Sequence, residues 1–328
     1  MKSLIKGLPQ HIEKGLEIFS QVSWSPDTNN IKNIVISGLG GSGIGGSIAA
    51  DLSRLHSSVP VCISKDYHIP AFIGPDTLFI ASSYSGDTEE TLSSAHQAII
   101  KGANVICITS GGKLSKLAIE HRLPAFIVPG GYPPRACLGY SLSILICILQ
   151  KINCLPSSYS QVLKTLPAFL TNHADKIIKE SEKLARQLFQ TFPIIYADSS
   201  NEGIAVRFRQ QLNENAKMLA SHHVIPEMNH NELVGWSMDQ PLQSVVFLRT
   251  AIDYTRNQAR VDINSEIISQ RAASVSHLWS EGDHPLEHVF YLIHFTDWVS
   301  YFLAEMNGVD IMDIQIINEL KQKLSNLQ

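Results

Sequence analysis

Short apolar segments rich in β-branched residues alternate with helical patterns along the first half of the chain. The apolar segments span residues 33–37, 59–63, 77–81, 105–109 and 125–128. Helical periodicity separates several of them, notably over residues 44–55, 88–101 and 113–120. Short buried strands that alternate with helices are typical of a parallel sheet covered on both faces. The sequence therefore predicts an α/β fold.

The second half of the chain repeats this order of elements in pattern, although not in identity. Its apolar segments and closing helix span residues 193–198, 244–248, 275–279 and 288–306. A polar, proline-containing segment at residues 155–160 separates the two halves. A length of 328 residues also favours two domains over one. We therefore predict domains at residues 1–155 and 156–328, with a site in the cleft between them.

The charge and composition of the chain exclude several kinds of protein. A formal net charge of −4 gives no extended basic surface for nucleic acid. The apolar stretch over residues 142–149 is far too short to cross a bilayer, and the N-terminus lacks the apolar region of a signal peptide. Five cysteines without a Cys-x-x-Cys pair favour reduced, buried thiols over disulfides or a zinc site. We expect a cytoplasmic protein without a metal, a membrane or a nucleic-acid partner.

The glycine-rich loop after the first predicted strand matches a dinucleotide-binding pattern. Residues 38–43 are Gly-Leu-Gly-Gly-Ser-Gly, which satisfies G-x-G-x-x-G between a strand and a helix. Asp66 follows the second predicted strand, where an acid that binds ribose is expected. A nicotinamide-dependent oxidoreductase is therefore one hypothesis, which a titration with NAD or NADP would test.

The loop after the third predicted strand is rich in hydroxyl side chains. Residues 82–88 are Ser-Ser-Tyr-Ser-Gly-Asp-Thr and lead into a helix. Hydroxyls and free backbone N–H groups at a helix N-terminus suit a compact phosphate, because the donors and the helix dipole both point at the anion. A purely structural alternative is a capping box formed by Asp87 and Glu90. Since two such loops follow neighbouring strands, we predict that this loop and Ser42 form a phosphate site.

Together the two loops resemble the sugar isomerase (SIS) domain. The matching segments are Gly40-Gly-Ser-Gly43 and Ser83-Tyr-Ser-Gly-Asp-Thr88. The rest of the chain is similar to one family within this group, the bifunctional phosphoglucose/phosphomannose isomerases of archaea and bacteria, which carry two SIS domains. The segments that carry this second resemblance are Pro134-Arg-Ala136, Asn213-Glu-Asn-Ala-Lys217, Pro226-Glu-Met-Asn-His-Asn231 and Leu320-Lys321. The resemblance implies two flavodoxin-like domains of three layers, each with a parallel sheet flanked by helices.

An aldose–ketose isomerase must open the sugar ring, move a proton between C1 and C2, and stabilise the enediolate oxygen. The resemblance assigns the base to Glu214, ring opening to His230 with Lys321, and enediolate stabilisation to Arg135. It assigns phosphate binding to Gly41, Ser42, Ser83, Ser85 and Thr88. It also implies a cis-enediolate reaction without cofactor or metal, and a homodimer in which His230 completes the site of the neighbouring subunit.

Three of these residues also have simpler interpretations. Glu214 lies on a predicted helix, where Lys217 is a local ion-pair partner. Lys321 resembles other lysines on a solvent-exposed C-terminal helix. For His230 the simpler interpretation is a hydrogen-bonded loop histidine, and a metal site is the competing functional hypothesis, although the spacing fits no common zinc pattern. The other candidate ligands of such a metal site are His222, His223 and Glu227.

The main hypothesis is therefore an isomerase that interconverts glucose 6-phosphate and fructose 6-phosphate. Members of the family often carry a Thr-Pro step shortly before the C-terminal lysine, whereas residues 309–313 here are Val-Asp-Ile-Met-Asp. Activity on mannose 6-phosphate is accordingly a separate question. The alternatives are another SIS isomerase, for an amino-sugar or pentose phosphate, a non-catalytic module that senses a sugar phosphate, and the oxidoreductase.

Overall fold

The computed structural model describes residues 1–326, which form two parallel sheets and the helices around them. The strands of the first sheet are β1 (Asn33–Ser37), β2 (Val61–Ser64), β3 (Thr77–Ser82), β4 (Asn104–Thr109) and β5 (Ala125–Ile127). The strands of the second sheet are β6 (Phe192–Asp198), β7 (Ser221–Ile225), β8 (Gln240–Arg249) and β9 (Ala272–Trp279). Every strand pairing within them is parallel.

Helices connect the strands and cover the sheets. In the first half they are α1 (Lys2–Lys6), α2 (Leu8–Gln21), α3 (Gly40–Ser53), α4 (Glu89–Ile100), α5 (Gly112–Glu120) and α6 (Leu138–Lys151). In the second half they are α7 (Ser157–Leu188), α8 (Glu202–Ala216), α9 (Thr255–Ile268), α10 (Pro285–Asn307) and α11 (Gln315–Ser325). Among residues 1–326, no helix combines the length and the apolar character needed to cross a membrane.

The two sheets share one order of strands. The first has the order β2-β1-β3-β4-β5 and the second β7-β6-β8-β9, so in each the first strand of the half lies between the second and third. This is the flavodoxin-like arrangement, in which ligands bind beyond the carboxyl ends of the strands where the order reverses. In the first sheet that point lies between β1 and β3, which are followed by the glycine-rich and serine-rich loops.

The largest hydrophobic cluster lies between the two sheets. It joins one face of the first sheet, including Ile36 and Ile80, to one face of the second, including Ile195 and Val246. Helices α2, α3, α6, α7, α8 and α10 contribute to the same cluster. Separate clusters join the outer faces of the two sheets to α4 and α5, and to α9. Each sheet therefore has helices on both faces, which confirms the predicted fold class.

Two details of the second half differ from the sequence prediction. Strand β7 was not predicted, because its sequence, Ser-His-His-Val-Ile, lacks a run of apolar residues. It forms the edge of its sheet, where its side chains are only partly buried up to Ile225. Residues 157–160, predicted as part of a linker, instead form the first turn of α7. Pro156 immediately precedes this helix, so the proline begins the helix and does not mark a longer loop.

Candidate active site

The glycine-rich and serine-rich loops are in direct contact at the carboxyl end of the first sheet. Ser42 lies in the first turn of α3, and its Oγ accepts a hydrogen bond from the backbone N–H of Tyr84 at 2.8 Å. Because a hydroxyl both donates and accepts, the Ser42 O–H hydrogen remains able to donate to an anion. The structure thus brings together the two loops predicted to bind phosphate.

The serine-rich loop is a tight turn with defined internal contacts. Ser83 is buried, its Oγ lies 2.9 Å from Thr88 Oγ1, and it accepts the N–H of Gly86 at 3.1 Å. Gly86 has φ +72°, and a Cβ there would lie 1.9 Å from the Gly111 carbonyl oxygen, so only glycine fits. Ser85 is exposed at the tip of the turn, with its Oγ accepting the N–H of Asp87 at 3.2 Å.

The capping box considered for this loop is absent from the structure. Thr88 is the residue that precedes α4, and its side chain makes no capping hydrogen bond. Asp87 instead accepts the backbone N–H of Lys113 at 3.1 Å, in the first turn of α5. Its carboxylate therefore ties the loop to the neighbouring helix, and the N-terminus of α4 has no side-chain cap of its own.

The glycine-rich loop packs closely against the segment that contains Arg135. A Cβ on Gly41 would lie 2.8 Å from the carbonyl carbon of Pro134 and 2.9 Å from the backbone nitrogen of Arg135. Residues Pro134–Ala136 form a short 3-10 helix that occupies the space beside the loop. In a dinucleotide site this close approach would be made by the pyrophosphate, so the contact disfavours the oxidoreductase hypothesis. Asp66, its candidate ribose ligand, is exposed beyond β2.

Arg135 is a buried cation with several fixed acceptors. The residue is only 3% exposed. Its Nε donates to Asn215 Oδ1 at 2.7 Å, and its Nη2 donates to the Ile311 carbonyl at 2.6 Å. Its Nη1 lies 3.3 Å from Glu214 Oε2. Burial lowers the pKa of Arg135, and the Glu214 and Asp310 carboxylates oppose this effect.

Glu214 lies in the last turn of α8, where it faces Arg135. Its side chain is 29% exposed, so the carboxylate is open on one side to solvent or to a ligand. The local pairing with Lys217 predicted as the simpler interpretation is wrong. Lys217 Nζ donates instead to the backbone carbonyls of Glu214, at 2.6 Å, and Asp313, at 2.7 Å. The Glu214 carboxylate therefore pairs with Arg135 and not with Lys217.

His230 and Glu214 lie at opposite ends of strand β7. Glu214 is near the amino end of β7, since α8 runs back to the start of that strand. His230 ends the 3-10 helix Glu227–His230, beyond the carboxyl end of β7, and is exposed. A strand of this length spans roughly 13 Å, at about 3.3 Å per residue. Within one chain, the structure therefore does not bring His230 to Glu214.

Lys321 lies on α11, which has no buried residue. Nothing within residues 1–326 brings its ammonium group to the Arg135–Glu214 pair. The segment just before α11 is nevertheless held at the site. Arg135 donates to its Ile311 carbonyl, and Lys217 donates to its Asp313 carbonyl.

The histidines near His230 do not form a metal site. His222 and His223 lie on β7, and the His223 ring stays close to its own backbone, accepting the N–H of Val224 at 2.9 Å. Across the described part of the chain, no group of three histidine, cysteine, aspartate or glutamate residues is arranged to hold a metal ion. Burial and the charge of Arg209 lower the pKa of His222.

At the carboxyl ends of its strands, the second sheet carries two buried carboxylates. Asp198 ends β6, Asp253 follows β8, and both are buried. Asp253 accepts the N–H of Thr250 at 2.9 Å and the Thr250 hydroxyl at 2.6 Å. These donors are thus already occupied, and two negative side chains disfavour phosphate there. The two halves share a fold, but in the second the hydroxyls of Ser200 and Thr250 at this end of the sheet already donate to Asp198 and Asp253.

The sequence interpretation missed the polar residues that surround Arg135. Asn215 lies within the segment quoted for the resemblance, yet no role was given to it. Asp297 is the carboxylate in the apolar middle of helix α10 and is buried. A buried aspartate needs a partner, so its presence in an apolar helix was the signal available in the sequence. Ile311 gave no signal, because it contributes only a backbone carbonyl.

Comparisons of the sequence point to one family, and the comparison with solved structures supports the fold. Residues 177–324 match the family model for the bacterial phospho-glucose isomerase C-terminal SIS domain. A bifunctional phosphoglucose/phosphomannose isomerase of Caldicellulosiruptor bescii is 36% identical, over 99% of this chain and 98% of that protein. One of the same name from Thermoplasma acidophilum is 37% identical over 91% of each. Among solved structures, the C-terminal domain of glucosamine-fructose-6-phosphate aminotransferase from Francisella tularensis has a TM-score of 0.77, with 17% identity over 94% of this chain and 96% of that one.

Proposed function

The chain belongs to the bifunctional phosphoglucose/phosphomannose isomerase family, and from that membership we propose that it interconverts glucose 6-phosphate and mannose 6-phosphate with fructose 6-phosphate. The observation that carries the proposal is the contact between the Arg135 guanidinium and the Glu214 carboxylate, beside a hydroxyl-lined loop. A cation, a base and a phosphate site are what this reaction requires.

We assign the substrate phosphate to the loops that follow β1 and β3. The donors available there are the hydroxyls of Ser42 and Ser85, one hydroxyl of the hydrogen-bonded Ser83–Thr88 pair, and the backbone N–H groups near Gly41 and the uncapped N-terminus of α4. Such a site binds by hydrogen bonds and by the helix dipole and needs no lysine or arginine of its own. This agrees with a chain whose net charge is negative.

In the proposed reaction, Glu214 moves the proton between C1 and C2 of the open-chain sugar. The developing negative charge on the enediolate oxygens is stabilised by Arg135, which retains one free N–H on each of its two terminal nitrogens. Because Arg135 is buried and held by three partners, its charge needs no reorientation as the enediolate forms.

We propose that ring opening uses His230 from a second copy of the chain. His230 is exposed beyond the carboxyl end of β7, whereas Glu214 lies near the amino end of that strand, so a subunit could present His230 to its neighbour but not to its own site. A symmetric dimer in which each chain contributes to both sites satisfies this arrangement.

Helix α11 supports the same proposal. Its apolar residues lie along one side at helical spacing and are exposed: Ile316 84%, Leu320 58% and Leu324 44%. An exposed apolar stripe of this kind marks a contact surface. The segment just before α11 is bound by Arg135 and Lys217. A second copy of the chain that approaches the site would therefore contact the apolar stripe of α11, and Lys321 beside it.

We also propose a reducing, cytoplasmic location. All five cysteines are free, and Cys107, Cys137, Cys147 and Cys154 are buried. Burial raises the pKa of Cys107 to about 12 and that of Cys137 to about 11, so these thiols are inert structural residues.

The experiment that tests this function is a coupled assay of the purified chain with glucose 6-phosphate and mannose 6-phosphate in turn, with EDTA present. Formation of fructose 6-phosphate from both is expected. Turnover of glucose 6-phosphate alone would restrict the function to the first substrate. Turnover of neither would contradict the proposal, and activity lost to EDTA would point to a metal.

A further inference from the structure

A buried polar network lies beneath Arg135. Its members are Arg207, Gln211 and Asn215 on α8 and Asp297 and Ser300 on α10, and all are nearly inaccessible to solvent. The three residues on α8 are spaced four apart, so they lie along one face of the helix. Arg207 Nη2 binds both Asp297 oxygens, at 2.9 and 2.8 Å, and Gln211 Nε2 donates to Asp297 Oδ1 at 2.7 Å.

Asn215 is the member that touches the Arg135 side chain, and its amide has only one favourable orientation. Its Oδ1 accepts from Arg135 Nε at 2.7 Å, while its Nδ2 donates to Ser300 Oγ at 3.0 Å. Ser300 Oγ in turn donates to the Asp297 backbone carbonyl at 2.7 Å. A flipped amide would place its NH₂ group against the N–H of Arg135, and both would be donors. The donor–acceptor order of these hydrogen bonds therefore fixes the orientation of the Asn215 amide.

We propose that Asn215 is a positioning residue for catalysis, which acts by fixing the plane of the Arg135 guanidinium. This inference rests on the proposed function, because it concerns the same site. Nε and Nη2 are held by Asn215 and by the Ile311 carbonyl, so Nη1 is directed at Glu214. Without the acceptor on Nε, the planar group can turn about its stem, and its N–H groups no longer point at the enediolate oxygens.

The rest of the network holds Asn215 and Arg135 in place. Arg207 Nη2 also donates to the Arg135 backbone carbonyl at 3.1 Å, so the buried Arg207–Asp297 pair supports the backbone of Arg135 while Asn215 supports its side chain. A displacement of about 1 Å at a catalytic group can reduce turnover by about 100-fold. The phosphate donors lie on other loops, so the loss of Asn215 should affect kcat much more than KM.

The first experiment compares Asn215→Ala with Ser181→Ala, a control on α7. Ser181 is also fully buried, and its Oγ donates to the Phe295 carbonyl of α10 at 2.9 Å, so its loss removes a buried hydrogen bond that does not involve Arg135, Glu214 or Asn215. We expect Asn215→Ala to lower kcat about 10- to 100-fold while KM changes by less than about threefold. Ser181→Ala should lower Tm and leave kcat near that of the wild type. Normal kcat in Asn215→Ala would overturn the inference.

The second experiment is chemical rescue with the guanidinium ion at non-denaturing concentration. Arg135→Ala leaves a cavity lined by Asn215 and Glu214, and added guanidinium should restore part of its kcat. The double variant Arg135→Ala/Asn215→Ala should not respond; equal rescue of both would overturn the inference even if Asn215→Ala alone folds poorly. Wild-type chain that turns over neither sugar phosphate would overturn the proposed function itself, so the two failures are distinguishable.

Discussion

The Nη1 atom of Arg135 lies 3.3 Å from Oε2 of Glu214, although the two residues are 79 positions apart and belong to different halves of the chain. Arg135 follows the first sheet and packs against the glycine-rich loop, while Glu214 ends the helix that returns to the second sheet. The pair therefore joins the phosphate-binding half to the second half at one point.

Replacing Glu214 by glutamine should abolish turnover and spare substrate affinity. Glutamine keeps the size of the side chain but cannot accept the C1 or C2 proton, and general-base catalysis contributes about 10²- to 10⁴-fold. We expect kcat to fall about 1,000-fold, with the Kd of fructose 6-phosphate within about threefold by calorimetry. Glu202→Gln, on the exposed first turn of the same helix, is the matched control. Near-normal kcat in Glu214→Gln would show that the base lies elsewhere.

Replacing Ser85 by alanine should raise KM and leave kcat nearly unchanged. Ser85 is exposed at the tip of the loop, and the N–H of Asp87 is the one protein partner of its Oγ in the described structure. Loss of one hydrogen bond to a charged phosphate corresponds to about a tenfold weaker interaction. Ser93→Ala, within α4 but beyond the loop, should leave KM unchanged. A fall in kcat without a change in KM would place Ser85 in the chemical step.

The sequence predicted the strands best where apolar, β-branched residues stand together. Strands β1, β3 and β4 match the predicted ranges to within one residue. Strand β7 was missed because an edge strand is only partly buried and tolerates histidines. The same limit applies to the site: local spacing offered Lys217 as the partner of Glu214, whereas the carboxylate faces Arg135 from the other half. Such contacts depend on how the two sheets pack, and local periodicity carries no information about that packing.

The free energy of unfolding should fall as the pH rises towards neutrality, because Asp51 is largely buried at the contact between α3 and α8. Asp51 accepts the N–H of Gly203 at 2.8 Å, and burial raises its pKa from 3.8 to about 7 despite Arg54. A raised carboxyl pKa means that the folded chain holds the proton more tightly than the unfolded chain. Stability from this group is therefore fully present below pH 3.8 and is lost as the pH rises through about 7.

Asp51→Asn isolates this effect, because it keeps an oxygen acceptor for Gly203 and removes the titration. Relative to the wild type, the variant should gain on the order of 1 kcal/mol or more in free energy of unfolding between pH 5 and pH 8. Denaturant unfolding at several pH values measures the gain. Asp239→Asn, at a largely exposed carboxylate, should run parallel to the wild type. A parallel curve for Asp51→Asn would show that Asp51 is already ionised at pH 5.

Mixing two inactive variants should restore activity if His230 acts across a subunit interface. In a dimer of one Glu214→Gln chain and one His230→Ala chain, one site carries both defects and the other carries none. Random re-association should recover about a quarter of wild-type activity, since half of the dimers are mixed and each has one intact site. Mixing Glu214→Gln with Arg135→Ala is the control, because both residues belong to one chain's site and every site stays defective. No recovery in the first mixture would show that His230 does not act in the neighbouring site.

A charged residue on the apolar stripe of α11 should weaken the association of the two copies of the chain. Activity should fall as the dimer dissociates. Leu320 is 58% exposed in the middle of that stripe, so Leu320→Asp removes little packing within the chain and should leave its fold intact. In a dimer interface the same aspartate would be buried without a partner, and its desolvation opposes association. Sedimentation should show a dissociation constant raised at least about 10-fold, with kcat lost at concentrations where the dimer dissociates. Ile119→Asp, on the exposed side of α5 at 77% exposure, should stay dimeric and active. A dimer that survives Leu320→Asp unchanged would show that α11 lies outside the interface.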